Sequence, residues 1–231
     1  MTITLYDLAG ADDGWRFSPY CWRVKMALRH KGLEARTIPW RFTQKEDIAF
    51  SGQGRVPVLT DSGRTVCDSW EIARYLESAY PDRPVLFGGP VCEAQALFVN
   101  FWCELTLHPL VLRLIVLDIY AHIHEKDKAY FRQSREARFG RPLEQIPVPP
   151  EQGIPALREA IAPLRATVQR QPYLGGETPR FVDYMVFAHF QCARVVSPLR
   201  LLDEDDHVFA WRERMLDALG GLARSAPVAA R

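Results

Sequence analysis

Every strand-like stretch in this chain lies before the tetrapeptide Pro81-Asp82-Arg83-Pro84, and only helical periodicity follows it. A half-buried strand repeats every two residues and a helix face every 3.6, so this change of texture separates a mixed α/β part from an all-helical part. Two modest domains fit comfortably in 231 residues. We assign residues 1–80 to the first domain, 81–90 to a linker and 91–231 to the second.

Residues 2–8 alternate apolar and polar and read as a strand, which the Gly10-Ala11-Asp12-Asp13-Gly14 loop ends. A helix follows, with Pro19 suited to its first turn, Cys21, Val24, Ala27 and Leu28 on one face, and Gly32 at its stop. A strand over Ala35–Trp40 completes a β-α-β unit whose parallel crossover is right-handed. After a loop long enough for one helical turn, Val56–Thr60 and Arg64–Cys67 form a hairpin around Asp61-Ser62-Gly63. A helix over Ser69–Ala79 places Ile72, Ala73, Leu76 and Ala79 on one face. Further on, periodicity predicts helices over 91–124, 126–139, 155–170, 181–196 and 205–220. Between the second and third of these, Pro142, Pro147, Pro149, Pro150 and Pro155 predict a semi-rigid, non-helical loop.

Composition narrows the functions available. Lys and Arg number 29 against 28 Asp and Glu, and no basic block interleaved with aromatics occurs, so a nucleic-acid partner is not expected. The longest apolar run, Leu110–Tyr120, is interrupted by Arg113 and Asp118 and is too short for a bilayer, so no membrane association is expected. The opening residues carry no positive leader and no signal-length apolar run. Five scattered cysteines do not form a disulfide framework, which suits a reducing cytoplasm. His122 and His124 stand two apart on a helical pattern and so point to different faces, and no metal site is expected from them.

Four segments carry a resemblance: Ser18-Pro19-Tyr20-Cys21-Trp22-Arg23-Val24, Val56-Pro57-Val58-Leu59, Asp68-Ser69, and Gly175-Gly176-Glu177-Thr178-Pro179-Arg180-Phe181-Val182-Asp183. With the element order, they resemble the glutathione transferase superfamily: a thioredoxin-like domain that binds glutathione, followed by an all-helical domain. Thr2–Leu8, Pro81–Pro84 and Tyr130-Phe131-Arg132-Gln133-Ser134-Arg135-Glu136 resemble its β-etherase branch, whose members cleave β-aryl ethers of lignin fragments with glutathione.

The resemblance places Ser18 at the catalytic position. A thiol of ordinary pKa is only roughly 3% ionised at neutral pH. A hydroxyl donor aimed at the sulfur, backed by a helix N-terminus, would stabilise the thiolate. Ser18-Pro19-Tyr20-Cys21 also resembles a glutaredoxin Cys-Pro-Tyr-Cys with its attacking cysteine replaced, which leaves Cys21 as packing. Pro57 matches the family's cis proline, turning Val56 toward the cysteinyl backbone of glutathione. Asp68 and Ser69 match the γ-glutamyl site at a helix start, and Arg55 is the nearest basic candidate for the glycine carboxylate. Asp183 matches a buried aspartate of the helical domain. The family's usual cap residue is replaced there by Arg180, so either Thr178 or Asp183 itself must serve that helix.

The apolar-substrate pocket is expected from Phe98, Phe101 and Trp102 on the first long helix, closed by Tyr20. The implied activity is attack of the glutathione thiolate on an apolar, aromatic electrophile by a cytoplasmic homodimer serving detoxification. Glutathione-dependent isomerisation of the zeta type is the rival among enzymes, although zeta members carry cysteine where Tyr20 stands. A non-catalytic carrier of hydrophobic ligands on the same scaffold is the rival from another class.

Overall fold

A computed structural model of the protein describes residues 3–229. Thr2, expected to open the first strand, and residues 230–231 of the helical part lie outside the described residues. Strands β1 (Ile3–Leu8), β2 (Ala35–Trp40), β3 (Val58–Asp61) and β4 (Arg64–Cys67) form one sheet in the order β2-β1-β3-β4. β1 and β2 are parallel, with Leu5 opposite Thr37. β3 runs antiparallel to both its neighbours, with Leu5 opposite Leu59 and Leu59 opposite Val66. Ser62 and Gly63 take positive φ (52° and 82°) in the two-residue turn, the conformation a tight hairpin demands.

Helix α1 (Pro19–His30) crosses from β1 to β2, and α2 (Ser69–Ala79) follows β4. β2 and α2 keep the limits expected from the sequence because each is bounded by strong punctuation, Asp68 capping α2 and Gly32 (φ 64°) ending the turn after α1. The loop after β2 does contain a helical turn, Lys45–Ser51.

From residue 90 the described chain is helical: α3 (Pro90–Trp102), α4 (His108–His122), α5 (Glu125–Phe139), α6 (Pro150–Ala160), α7 (Ala162–Val168), α8 (Phe181–Val196) and α9 (His207–Gly221). Three expectations need correction here, the first being the single helix over 155–170, which breaks at Ile161 into the end of α6 and the short α7. The long helix over 91–124 is two helices joined by a wide turn of π type at Cys103–Leu107. Pro109 lacks an N–H for residue 105, so the hydrogen-bond ladder loses a rung just where the turn widens. The proline-rich stretch is also more helical than expected, since α6 starts at Pro150 and contains Pro155. Pro150 occupies the tolerated first position, and the burial of Gly153 and Leu157 offsets the single bond that Pro155 removes. A Cβ on Gly153 would come within 2.6 Å of Leu114 Cδ2, which shows how closely α6 approaches α4.

One apolar core runs through both domains, from Leu5 and Leu59 of the sheet to Phe187 and Trp211 of the helical part. At its far end Asp183 is fully buried and accepts from the amides of Leu174 (2.7 Å), Gly175 (2.9 Å) and Arg180 (3.0 Å) and from Trp211 Nε1 (3.0 Å). Asp183 thus takes the capping work that Arg180 cannot do. Asp127 does comparable work between domains: it is fully buried on α5 and accepts from Phe42 N (3.2 Å), Thr43 N (2.9 Å) and Thr43 Oγ1 (2.7 Å) in the loop after β2.

Candidate active site

The two domains enclose a cavity of about 490 Å³. Ser18, Arg55, Val56, Pro57 and Asp68 all line its N-terminal wall, joined by Gln53 and Gly54, which sequence reasoning did not single out. Ser69 is buried at the first position of α2 and is not part of the wall. Tyr20 also lines the cavity.

Ser18 sits on extended backbone (φ −60°, ψ 122°) and caps α1, its Oγ accepting from the Cys21 amide at 3.3 Å. Accepting a bond uses a lone pair and leaves the hydroxyl's own proton available. The cap and a donor role toward the cavity are therefore compatible in one side chain. Cys21 has no exposed surface, and burial foremost, with the Asp7 carboxylate second, pushes its thiol up. Such a thiol stays protonated and inert.

The Val56–Pro57 peptide is cis. Asp68 is exposed and carries a positive φ (71°), uncommon for a residue with a side chain. Its Oδ1 accepts from Trp70 N (2.8 Å) and Glu71 N (3.3 Å), so the start of α2 and one carboxylate are held together at the cavity edge.

The opposite wall corrects the expected pocket. Phe98 and Phe101 are 75% and 50% exposed, and neither they nor the half-buried Trp102 line the cavity. Helix α3 buries Ala96 and Asn100, and Phe98 lies two residues, about 200° of arc, from each. The wall instead comes from the wide turn and α4, through Glu104, His108, Val111, Leu112 and Ile115, and from Tyr130, Arg135 and Arg138 of α5. Sequence reasoning did not single out these positions as a wall; on α5 the signal that could have found two of them is that Arg135 and Arg138 share a stripe, at steps of four, four and three, with the buried Asp127 and Phe131.

Beneath Tyr20 lies a buried polar layer. Arg23 is fully buried; its Nη1 donates to Asn100 Oδ1 (2.9 Å), and its Nη2 lies 3.2 Å from His189 Nε2. Arginine can only donate, so His189 accepts at Nε2 and is neutral. Burial first, then Arg23 and His108, hold the His189 pKa well below the usual histidine range. His108 is lowered to about 4, by burial and then by Arg138, Arg23 and Arg135. The Arg23 guanidinium lies 4.9 Å from the Tyr20 ring centroid. Burial raises the Tyr20 phenol while Arg23 opposes it, so Tyr20 remains a protonated donor at neutral pH.

The two histidines of the His122-Ile123-His124 pattern serve the fold: His122 stacks on Trp15 with centroids 4.4 Å apart, and His124 caps α5 through Lys126 N (3.2 Å). Among the described residues no group of three or more His, Cys, Asp or Glu is placed to hold a metal. No described helix is long and apolar enough to cross a membrane.

Comparison with known proteins places this arrangement. Residues 14–84 match the glutathione S-transferase N-terminal domain family, and residues 94–214 match the glutathione S-transferase C-terminal domain family. Glutathione S-transferase 4 of Zea mays is 25% identical over 206 residues, covering 86% of this chain and 83% of the relative. Maleylacetoacetate isomerase of Pseudomonas aeruginosa is 33% identical over 97 residues, covering 38% of this chain and 46% of that protein. In fold, the chain resembles a glutathione S-transferase of Ceriporiopsis subvermispora solved in complex with glutathione, with a TM-score of 0.78, 22% identity and coverage of 100% and 99%. The mixed four-stranded domain, the helical domain and the two family matches that together span both establish that this chain belongs to the glutathione S-transferase superfamily.

Proposed function

We propose that the protein binds glutathione along the N-terminal wall and activates its thiol for attack on an electrophile held against α4 and α5. The observation that carries this reading is the convergence of the Ser18 hydroxyl, the Val56 backbone and the Asp68-capped start of α2 on one cavity. Val56 would pair with the cysteinyl backbone as an added strand does. Asp68 would face the γ-glutamyl ammonium, with the first turn of α2, including Ser69, toward its carboxylate, and Arg55 would face the glycine end.

In this reading Ser18 Oγ–H donates to the glutathione sulfur and the thiol proton passes to solvent. The thiolate then forms a bond to an electrophilic carbon, and the leaving group departs with the electrons of the broken bond. Val111, Leu112 and Ile115 supply apolar burial for the electrophile, at about 25 cal/mol for each Å² removed from water. Cleavage of a β-aryl ether, releasing a phenolate and leaving a thioether, is the finer activity. Its support is that the β-etherase-like segment Tyr130–Glu136 brings Tyr130 and Arg135 to the cavity. The stretch similar to maleylacetoacetate isomerase favours a second reading, glutathione-dependent isomerisation. Incubation with glutathione and aryl ethers, activated aryl halides or maleyl acids, followed by product identification, tests both. Glutathione thioethers are the expected products; turnover of maleyl acids alone would favour isomerisation, and no binding of glutathione would end both readings.

We also propose a cytoplasmic homodimer. Its support is the exposed apolar row of Val91 (72%), Phe98 (75%), Phe101 (50%) and Leu105 (77%), whose steps of three, four and seven keep one helix face in line. Light scattering should give twice 26.4 kDa, and 26.4 kDa at micromolar concentrations would refute the dimer.

A further inference from the structure

The wall contributed by α5 is cationic and has no carboxylate of its own. Arg135 and Arg138 stand one turn apart, both line the cavity, and neither makes an ion pair among the described residues. This differs from the rest of α5, where Arg132 is bound to Glu136 (3.2 Å) and Glu144 (2.6 Å) and Lys128 to Glu125 (2.8 Å). Arg135 packs its guanidinium 4.2 Å from the Phe131 ring centroid and 5.6 Å from that of Phe42, and its one hydrogen bond among the described residues goes to Ser134 Oγ (2.9 Å). Its Nε is buried with no partner among the described residues. A buried, charge-bearing donor left unpaired is costly, and a ligand group that accepts from this guanidinium would offset that cost.

The neighbouring charges sharpen the contrast. Burial, then Arg138, lower Arg135 to about 10, so it remains charged at neutral pH. Across the cavity His108, lowered to about 4 by burial, is neutral at pH 7. Glu104 is the carboxylate on the α4 side of the same cavity, and Asn100 Nδ2 donates to it at 3.4 Å.

Resting on the reading above, we infer that the second substrate is an acid: an apolar, aromatic body carrying a carboxylate or ionised phenol, which Arg135 and Arg138 hold while Val111, Leu112 and Ile115 cover the ring. Arginine suits this task because its planar fork can bind both oxygens of a carboxylate and stack on aromatic faces. The two arginines are specificity-determining residues with no part in activating the thiol.

The experiment measures binding of two glutathione conjugates by calorimetry, S-(4-carboxy-2-nitrophenyl)glutathione and its methyl ester, with glutathione itself as the third probe. The intact protein should bind the acid about 10 to 100-fold tighter than the ester. Arg135→Gln and Arg138→Gln should each shrink that ratio about 5-fold or more, and Arg135→Lys should keep part of it. Arg138 is exposed and makes no hydrogen bond with the described chain, so Arg138→Gln stays informative even if loss of Arg135 from its aromatic seat unfolds the protein. Equal affinity for acid and ester, or a ratio that survives both Gln variants, overturns the inference. So does loss of glutathione affinity matching that of the acid conjugate, because the arginines would then be holding the glycine carboxylate. Failure of glutathione to bind at all takes the underlying reading down first, and is distinguished by that probe alone.

Discussion

The two walls of the cavity are built by different means. On the N-terminal side the polar groups are mostly backbone and cap groups, Ser18 at the start of α1, the Val56 peptide and Asp68 at the start of α2, with Gln53 and Arg55 the side chains added to them. On the helical side they are long side chains, Arg135 and Arg138 from α5, His108 from the start of α4, and Glu104 from the wide turn before it. A cap is held by its own helix and tolerates little variation in what it binds, which suits a constant cosubstrate such as glutathione. A side-chain wall can be rebuilt by single substitutions without disturbing the fold, which suits a varying electrophile.

Asp127 is where this division can be broken. It is the buried acceptor that ties the loop after β2 to α5, through three bonds to Phe42 and Thr43. Asp127→Ala leaves two amides and a hydroxyl without that acceptor, at a cost of about 3 kcal/mol or more. Urea unfolding should show the loss as a lower midpoint at unchanged slope. In the surviving folded protein the two walls should lose their mutual register, so affinity for an acidic conjugate should fall more than affinity for glutathione. A change below about 1 kcal/mol would mean that core packing alone sets the spacing of the walls.

The contrast also governs what could be read from the sequence. The N-terminal wall was legible because caps and turns advertise themselves locally: Ser18-Pro19, Val56-Pro57 and Asp68-Ser69 are each a short string with its own backbone consequence. Ser69 was the exception, since its burial depends on how α2 packs and not on its place in the motif. The helical wall was not legible in the same way. Phe98 and Phe101 match a pocket-lining pattern and an outward-facing one equally well, because periodicity gives a face but not what covers it. The wide turn at Cys103–Leu107, which brings Glu104 to the wall, follows from Pro109 but lies inside an otherwise unbroken helical pattern. Arg135 was visible only as part of a family-like string; that its Nε is buried and unpartnered emerges when α5, the loop after β2 and α4 meet.

A finer test asks which of two neighbouring hydroxyls activates the thiol, Ser18 on the backbone-built wall or Tyr20 beside the side-chain layer. Ser18 Oγ is buried at the cavity edge and accepts from the Cys21 amide. Tyr20 is half-buried, raised above the ordinary phenol range by burial, and its ring is packed between Arg23 and the rings of His108 (5.8 Å) and His189 (6.4 Å). If activation belongs to the cap, Ser18→Ala removes one charge-assisted hydrogen bond to the thiolate, worth roughly 1.5 to 3 kcal/mol, and the rate at pH 7 should fall about 10 to 150-fold. The sign of the pH effect follows: losing the donor raises the thiol pKa, so the thiolate appears at higher pH, and raising the pH should return most of the rate. Tyr20→Phe keeps the ring packing and removes a hydroxyl that stays protonated in either case, so the same rate should change less than about 3-fold, a difference of about 0.6 kcal/mol. The measurement is thiolate absorbance in the bound glutathione complex against pH for the parent and both variants, together with rate against pH for a neutral aryl halide. Coincident curves for the parent and Ser18→Ala, with a shifted curve for Tyr20→Phe, would move activation to the tyrosine and make Ser18 a helix cap only.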